Sequence, residues 1–312
     1  MKAYWQSTLR IGLSIVLVSW LAYTTYWFFK SLNWWPLTSI VDFILGAFGT
    51  VGLALRIVSV LLIISAFVLV IRGKGWLEAI KPLRYALPLE AVYFMSFFPS
   101  AVFGFIAGLN LVSGFHTLNQ GGLWFLFETA IPTLIQATFT PFALLKLRST
   151  LIANPSRQAV AKWACIAGIA YMVYWWITYF GQWMASILQP DSYAATYPGY
   201  GIGYVFNYPI NTLTFLLSAV GLPLLIIFFY WTSRPVINGA AKEFRLRNVG
   251  IVLTLLGAFF IVNIAIFYLY GYLGGASIWI IFFMFNNPDL WCISLPLIGI
   301  PLILANPKVK LP

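Results

Sequence analysis

Apolar runs long enough to cross a bilayer recur from one end of the chain to the other, separated by short basic loops. Residues 249–270 contain no charge at all, and residues 51–71 contain only Arg56. A spanning helix needs about 20 apolar residues. The runs are continuous, not alternating apolar and polar, which fits helices and not a barrel. Composition agrees. Apolar residues make up 62% and charged residues 8%, against roughly 25% charged in a soluble domain. Mean hydropathy is +0.90. A chain of 312 residues with so little charge has nothing to keep its surface in water. The sequence therefore predicts a single all-α domain over residues 1–312, a polytopic integral membrane helix bundle with the lipid bilayer as its solvent.

Eight spans are expected: 11–29, 51–71, 86–111, 123–145, 163–188, 212–231, 249–270 and 290–305. Residues 40–50, which include Asp42, are too short to span alone and read as a re-entrant or interfacial segment. Residues 278–285 form a second short apolar piece, and a ten-span version would promote such pieces in pairs. The charges orient the bundle, because lysine and arginine concentrate on the cytoplasmic side. With the N-terminus inside, the inner segments hold Lys2 and Arg10, four basic residues in each of 72–85, 146–162 and 233–248, and Lys308 and Lys310. Of the remaining basic residues, Lys30 falls outside and Arg56 within a span. Both termini are thus predicted in the cytoplasm, in a multi-pass protein of the cell membrane. The net charge of +11 reflects these loops, not a nucleic-acid partner. The first run has no small-residue cleavage site and reads as a retained helix. Cys165 and Cys292 lie in or beside apolar runs with no CxxC or metal spacing, as free buried thiols do.

The chemistry concentrates in residues 86–145, two apolar runs holding Glu90, Glu128 and, between them, the chain's one histidine, His116. Ionisable groups inside a bilayer are costly and often mark ion or proton paths. Glu90, Glu128 and Arg56 are the candidates for such a path. Glu90 and Glu128 are expected near opposite faces, too far apart for a shared dyad. Each lies in the first turn of its predicted span, where a carboxylate favours the helix macrodipole. Capping or structural pairing is the leading expectation for both. Arg56, on the outer side of its span, has Asp42, Glu128 or the headgroups within reach, and a structural ion pair ranks ahead of a substrate clamp. His116 could ligate haem only with a different residue opposite, such as Met184; bis-histidine ligation is excluded within this chain. HExxH, Walker and CxxC motifs are absent, and no catalytic centre or metal site is predicted. Prolines within the spans, among them Pro141, Pro223 and Pro301, free backbone carbonyls, as in transporters and in ordinary kinked helices.

Aromatic residues make up 19% of the chain. The outer loop 189–211 is rich in tyrosine, glycine and proline, with Asp191 its only charge. Tyr197, Tyr200 and Tyr204 are candidates for docking an outward-facing partner; the plainer reading is an interfacial belt. Tyr171, Tyr174, Trp175, Trp176 and Tyr179 border either a quinone slot or a helix–helix core.

The N-terminal span 11–29, the outer stretch 193–208 and the solitary His116 resemble the hydrophobic B subunit of the archaeal cytochrome b558/566. The likeness is one of profile over the whole chain: length, successive apolar spans, and too few histidines to hold haem. It implies haem b on an outward-facing A subunit, with this chain as its membrane partner, and carries over no functional residue. The eight-helix quinone-binding anchors of polysulfide-reductase-type complexes share the profile. The expected function is a non-haem membrane subunit of a respiratory or electron-transfer complex that anchors an outward-facing cytochrome and contacts quinone. The alternative is a secondary transporter or channel using Glu90, Glu128 and Arg56, and an enzyme acting on lipid or glycan ranks third.

Overall fold

The computed structural model describes residues 2–33, 40–108, 126, 130–153, 156–187, 206, 209–273 and 294–311. Their helices are α1 (Lys2–Asn33), α2 (Ile40–Ile71), α3 (Trp76–Met95), α4 (Phe98–Gly108), α5 (Ile131–Ala153), α6 (Arg157–Ile187), α7 (Pro209–Leu216), α8 (Leu222–Ile237), α9 (Leu246–Leu273) and α10 (Pro296–Ala305). A π-helical turn, Leu217–Gly221, joins α7 to α8. Two three-residue strands, β1 (Glu243–Arg245) and β2 (Lys308–Lys310), form the only sheet among the described residues.

Among the described residues, six helical stretches are long and apolar enough to cross a membrane: Gln6–Leu32, Phe43–Ile71, Leu77–Ile106, Arg157–Gly181, Asn211–Ile237 and Leu246–Asn263. This is the pattern of a multi-pass membrane protein. Helix α5, 23 residues carrying Lys146 and Arg148, and α10, 10 residues long, pack among the six. Neighbours in sequence are neighbours in space: α1 on α2, α2 on α3, α3 on α5, α5 on α6, α6 on α8, α8 on α9, and α9 on α10. Contact of α10 with α1 closes the circuit.

Several of the predicted helix boundaries move, and two of the changes bear on the site. Residues 40–50 are not a separate re-entrant piece; they are the first turns of α2, a single helix of 32 residues. No proline or charge run interrupts residues 40–71, so nothing stops the helix once begun. Likewise α3 starts at Trp76, ten residues before the predicted span, and absorbs most of the basic loop. That part of α3 is packed on one side, where Ala79 and Ile80 are buried, and exposes Lys81 on the other.

Small residues let the backbones close the circuit. A methyl group on Gly250 would lie 2.6 Å from the Gly299 carbonyl oxygen, and the reverse substitution meets the Gly250 carbonyl at 2.6 Å. On the other side of α10, Gly12 abuts the Leu297 carbonyl so closely that any side chain would overlap it. That carbonyl has lost its helical donor, because the residue four further on is Pro301.

A core of buried hydrophobic residues lies where α6, α8 and α9 meet. Phe260 is wholly buried there, and Trp175 meets it edge to face with ring centroids 5.0 Å apart. Tyr179 contacts Phe259 in the same way at 5.0 Å. Such pairs contribute about 0.5–1.5 kcal/mol beyond their area. The aromatic cluster of the fifth predicted span is thus helix–helix core.

The basic loops gather at one end. The Thr50 hydroxyl donates to Ser31 Oγ at 3.1 Å, which sets α1 and α2 antiparallel. Arg84 and Leu151 meet across α3 and α5, and Gly239 lies beside Gln158. The starts of α1, α3, α6 and α9 and the ends of α2, α5, α8 and α10 therefore share one end of the bundle. There β1 and β2 pair antiparallel, with Phe244 opposite Val309 and Glu243 opposite Lys310. Asn306, in the left-handed conformation that asparagine tolerates, turns the chain from α10 into β2.

Candidate functional site

Arg56, at the middle of α2, and Glu90, within α3, form an ion pair with Nε 3.1 Å from Oε1. Their side chains are only 10% and 7% exposed. Both therefore face the protein interior, and Arg56 does not snorkel. The helical spacing explains the site. Glu90 and Tyr93 are three residues apart, so they stand on one face of α3. Arg56 and Ser59 share the same spacing on the facing side of α2. The Ser59 hydroxyl donates to the Ala86 carbonyl at 3.0 Å, one turn before Glu90. Ser59 and Ala86 are both fully buried, so the helices approach closely there.

The guanidinium is surrounded by π faces and oxygen acceptors. Its Nη1 donates to the Tyr93 hydroxyl at 2.6 Å. Its carbon lies 4.1 Å from the Tyr93 ring centroid, 5.4 Å from that of Trp20 on α1 and 5.8 Å from that of Phe94. Desolvated cation–π contacts are worth about 2 kcal/mol, and they offset part of the cost of holding a cation here. The second carboxylate oxygen, Glu90 Oε2, is buried with no hydrogen-bond partner among the described residues. Charge is thus neutralised inside the cluster, while one acceptor remains open.

The predicted roles of these two residues change accordingly. Glu90 does not cap a helix: α3 begins at Trp76, and the acid in its first turn is Glu78. Structural pairing of Glu90 is what the structure contains. Among the described residues the carboxylate partner of Arg56 is Glu90; Glu128 and the side chain of Asp42, the acids expected beside it, are not among those described. The partnership was missed because placing the span at 51–71 put Arg56 near a membrane face. With α2 starting at Ile40, Arg56 sits at mid-helix, level with Glu90. Glu128, His116, Tyr197, Tyr200 and Tyr204 lie outside the described residues. No cluster of three metal-ligating side chains occurs among the described residues.

A second polar junction lies nearer the basic end. Arg84 donates from Nε and Nη2 to the Leu151 carbonyl, at 3.1 and 2.7 Å. Arg148 donates from Nε to the Arg84 carbonyl at 3.2 Å. The Arg84 carbonyl has lost its helical donor to Pro88, four residues on within α3, and the Leu151 carbonyl lies in the last turn of α5, where no helical donor follows. Each helix thus satisfies a carbonyl left open on the other.

Two apolar clefts also open among the described helices. One, of about 560 Å³, lies between the π turn with α8 and α9, and is walled by Leu217, Leu224, Phe228, Leu255 and Phe259 among others. The π turn spreads the helix locally. The other, of about 470 Å³, lies at the basic end under the β-ribbon.

Comparison with protein families, with curated proteins and with solved structures finds no match to this chain.

Proposed function

We propose that this chain is a non-haem integral membrane subunit of a respiratory or electron-transfer complex, seated in the cell membrane with both termini cytoplasmic. It anchors a cytochrome partner on the outer face, and haem b belongs to that partner. One observation supports an anchoring role over a conducting one: the ionisable pair inside the spans, Arg56 and Glu90, is self-neutralised and packed between aromatic rings. The clefts of the described bundle are walled by apolar side chains, which suits lipid-like molecules better than hydrated solutes. The cleft between α8 and α9 fits an isoprenoid tail, and its apolar walls offer a quinone headgroup no charged partner. The electron-transfer assignment itself rests on the resemblance in profile to the cytochrome b558/566 B subunit.

A secondary transporter is the second reading, favoured by Glu90 Oε2, a buried acceptor with no hydrogen-bond partner among the described residues. Purification of the tagged chain in mild detergent from its native membrane separates the two. Co-elution of a cytochrome with a b-type absorption spectrum is expected. A chain that elutes alone, and whose liposomes acquire an ion or proton flux abolished by Glu90→Gln, overturns the subunit reading.

A further inference from the structure

The cleft at the basic end combines two chemistries. Its walls are apolar and come from three helices and the ribbon: Ala161 and Cys165 of α6, Phe229 of α8, Val249 of α9, Phe244 of β1 and Val309 of β2. The one charged residue lining it is Arg157, the first residue of α6. Arg157 is exposed and makes no ion pair among the described residues. Alternation along the ribbon explains the arrangement. Phe244 turns inward and is buried, while Glu243 and Arg245 on either side are exposed. In β2, Lys308 and Lys310 are exposed and flank Val309. The ribbon is therefore a lid with an apolar underside and a charged, mostly basic, upper side. Main-chain bonds extend the pairing of the two strands at both ends: Leu246 N–H donates to the Pro307 carbonyl at 3.0 Å, and Leu311 N–H to the Lys242 carbonyl at 3.1 Å.

We infer that this cleft is a binding site for an anionic phospholipid, with an acyl chain beneath the ribbon and the phosphate at Arg157. The cleft's volume, about 470 Å³, lies within the usual range of small-molecule sites, roughly 300–1,000 Å³. Arginine pairs with phosphate through two parallel N–H donors; Ser156 caps the Ala159 N–H, and the positive end of the α6 dipole favours the same negative charge. No acidic residue lies in the first turn of α6 to oppose it. Basic pockets between membrane helices at the cytoplasmic face have the chemistry to hold acidic headgroups. Here the charge is fixed at the mouth of a slot too apolar to be left in water. The inference does not depend on which partner the bundle serves.

Native mass spectrometry of the full-length chain in detergent tests it, with phosphatidylglycerol and phosphatidylcholine supplied in equal amounts. One retained phosphatidylglycerol per chain is expected, at least tenfold preferred over phosphatidylcholine. Arg157→Gln is expected to bring the two lipids to parity, and Arg157→Lys to keep most of the preference. Ala161→Trp fills the slot and is expected to eject both lipids; Val309→Trp does the same from the ribbon side and serves if the first variant does not fold. Equal retention of the two lipids by the wild type overturns the proposal, as does an anionic preference that survives Arg157→Gln. Undiminished lipid binding in a folded slot-filling variant places the acyl chain elsewhere and overturns it too. A dimer mass that disappears with the slot-filling variants would assign the cleft to a second copy of the chain, with the same result.

Discussion

Arg56 has one carboxylate partner among the described residues, and removing either member leaves a charge in a place built for two. Breaking a buried pair from one side typically costs about 3–5 kcal/mol, whereas replacing both members by apolar residues is often neutral or better. Arg56→Met is therefore expected to destabilise strongly, because Glu90 keeps its burial and loses the guanidinium. Glu90→Gln leaves the Arg56 cation without a counter-ion but is expected to cost less, since the amide oxygen fills the place of the carboxylate as an acceptor, the Tyr93 hydroxyl still accepts from Arg56 at 2.6 Å and the aromatic faces still surround the guanidinium. The double variant Arg56→Met, Glu90→Leu should recover much of the loss. Thermal unfolding of the four proteins in one detergent measures this. An additive double variant, as destabilised as the sum of the singles, would show that the two side chains act independently. The pair was only half legible in sequence. Each residue announces itself as a charge in an apolar run, and an intramembrane ion pair is the natural inference. Which acid met Arg56 depended on where α2 begins, and hydropathy places helix ends poorly when the flanking turns are themselves apolar.

At the scale of the element, the reciprocal clasp between α3 and α5 shows what proline does when a neighbouring helix is available. Pro88 removes the donor to the Arg84 carbonyl, and Arg148 of α5 supplies one at 3.2 Å. Arg148→Ala should therefore expose an unsatisfied acceptor, a loss of about 1–3 kcal/mol. The cause can be isolated. Pro88→Ala restores an N–H at that position, so in the Arg148→Ala background it should win back part of the loss. Hydrogen exchange at α3 amides and the unfolding midpoint read the coupling; if Pro88→Ala only adds to the damage, the kink itself is what the bundle requires. Prolines within the spans were read as sources of free carbonyls, and the principle holds. Their use for helix-to-helix fastening was not legible, because it needs the partner arginine on a helix more than sixty residues away. The basic stretches behaved similarly. Residues 72–85 and 146–153 look like loops by charge alone, yet most of their length is helical. A charged run tells which solvent a segment meets more reliably than whether its backbone is coiled.

For the whole molecule, the strongest legible feature was the distribution of charge. The basic segments lie far apart in sequence, and antiparallel packing of successive helices brings them to one end of the bundle. That end carries the ribbon, the clasp and the Arg157 cleft. The opposite end has, among the described residues, Lys30 over the Trp27 ring at 4.6 Å, the aromatic–lysine association of a membrane interface. Among the described residues, six helical stretches stand on length and apolarity alone; the described parts of the other two expected spans, α5 with Lys146 and Arg148 and the ten-residue α10, pack against neighbours on both sides. The circuit still alternates direction at every turn, so the orientation of the bundle reduces to one question: which side of the membrane holds the basic end. The cytoplasmic leaflet attracts lysine and arginine, and short loops follow that rule most closely. Single cysteines at Ser156 and Gly239, in a background with Cys165 and Cys292 replaced by alanine, should resist a membrane-impermeant maleimide in intact cells. They should react once the cells are opened. Cysteines at Thr117, Tyr200 and Asn287 should label in intact cells. Labelling at Ser156 from outside would invert the bundle, and it would move the proposed cytochrome partner to the opposite face.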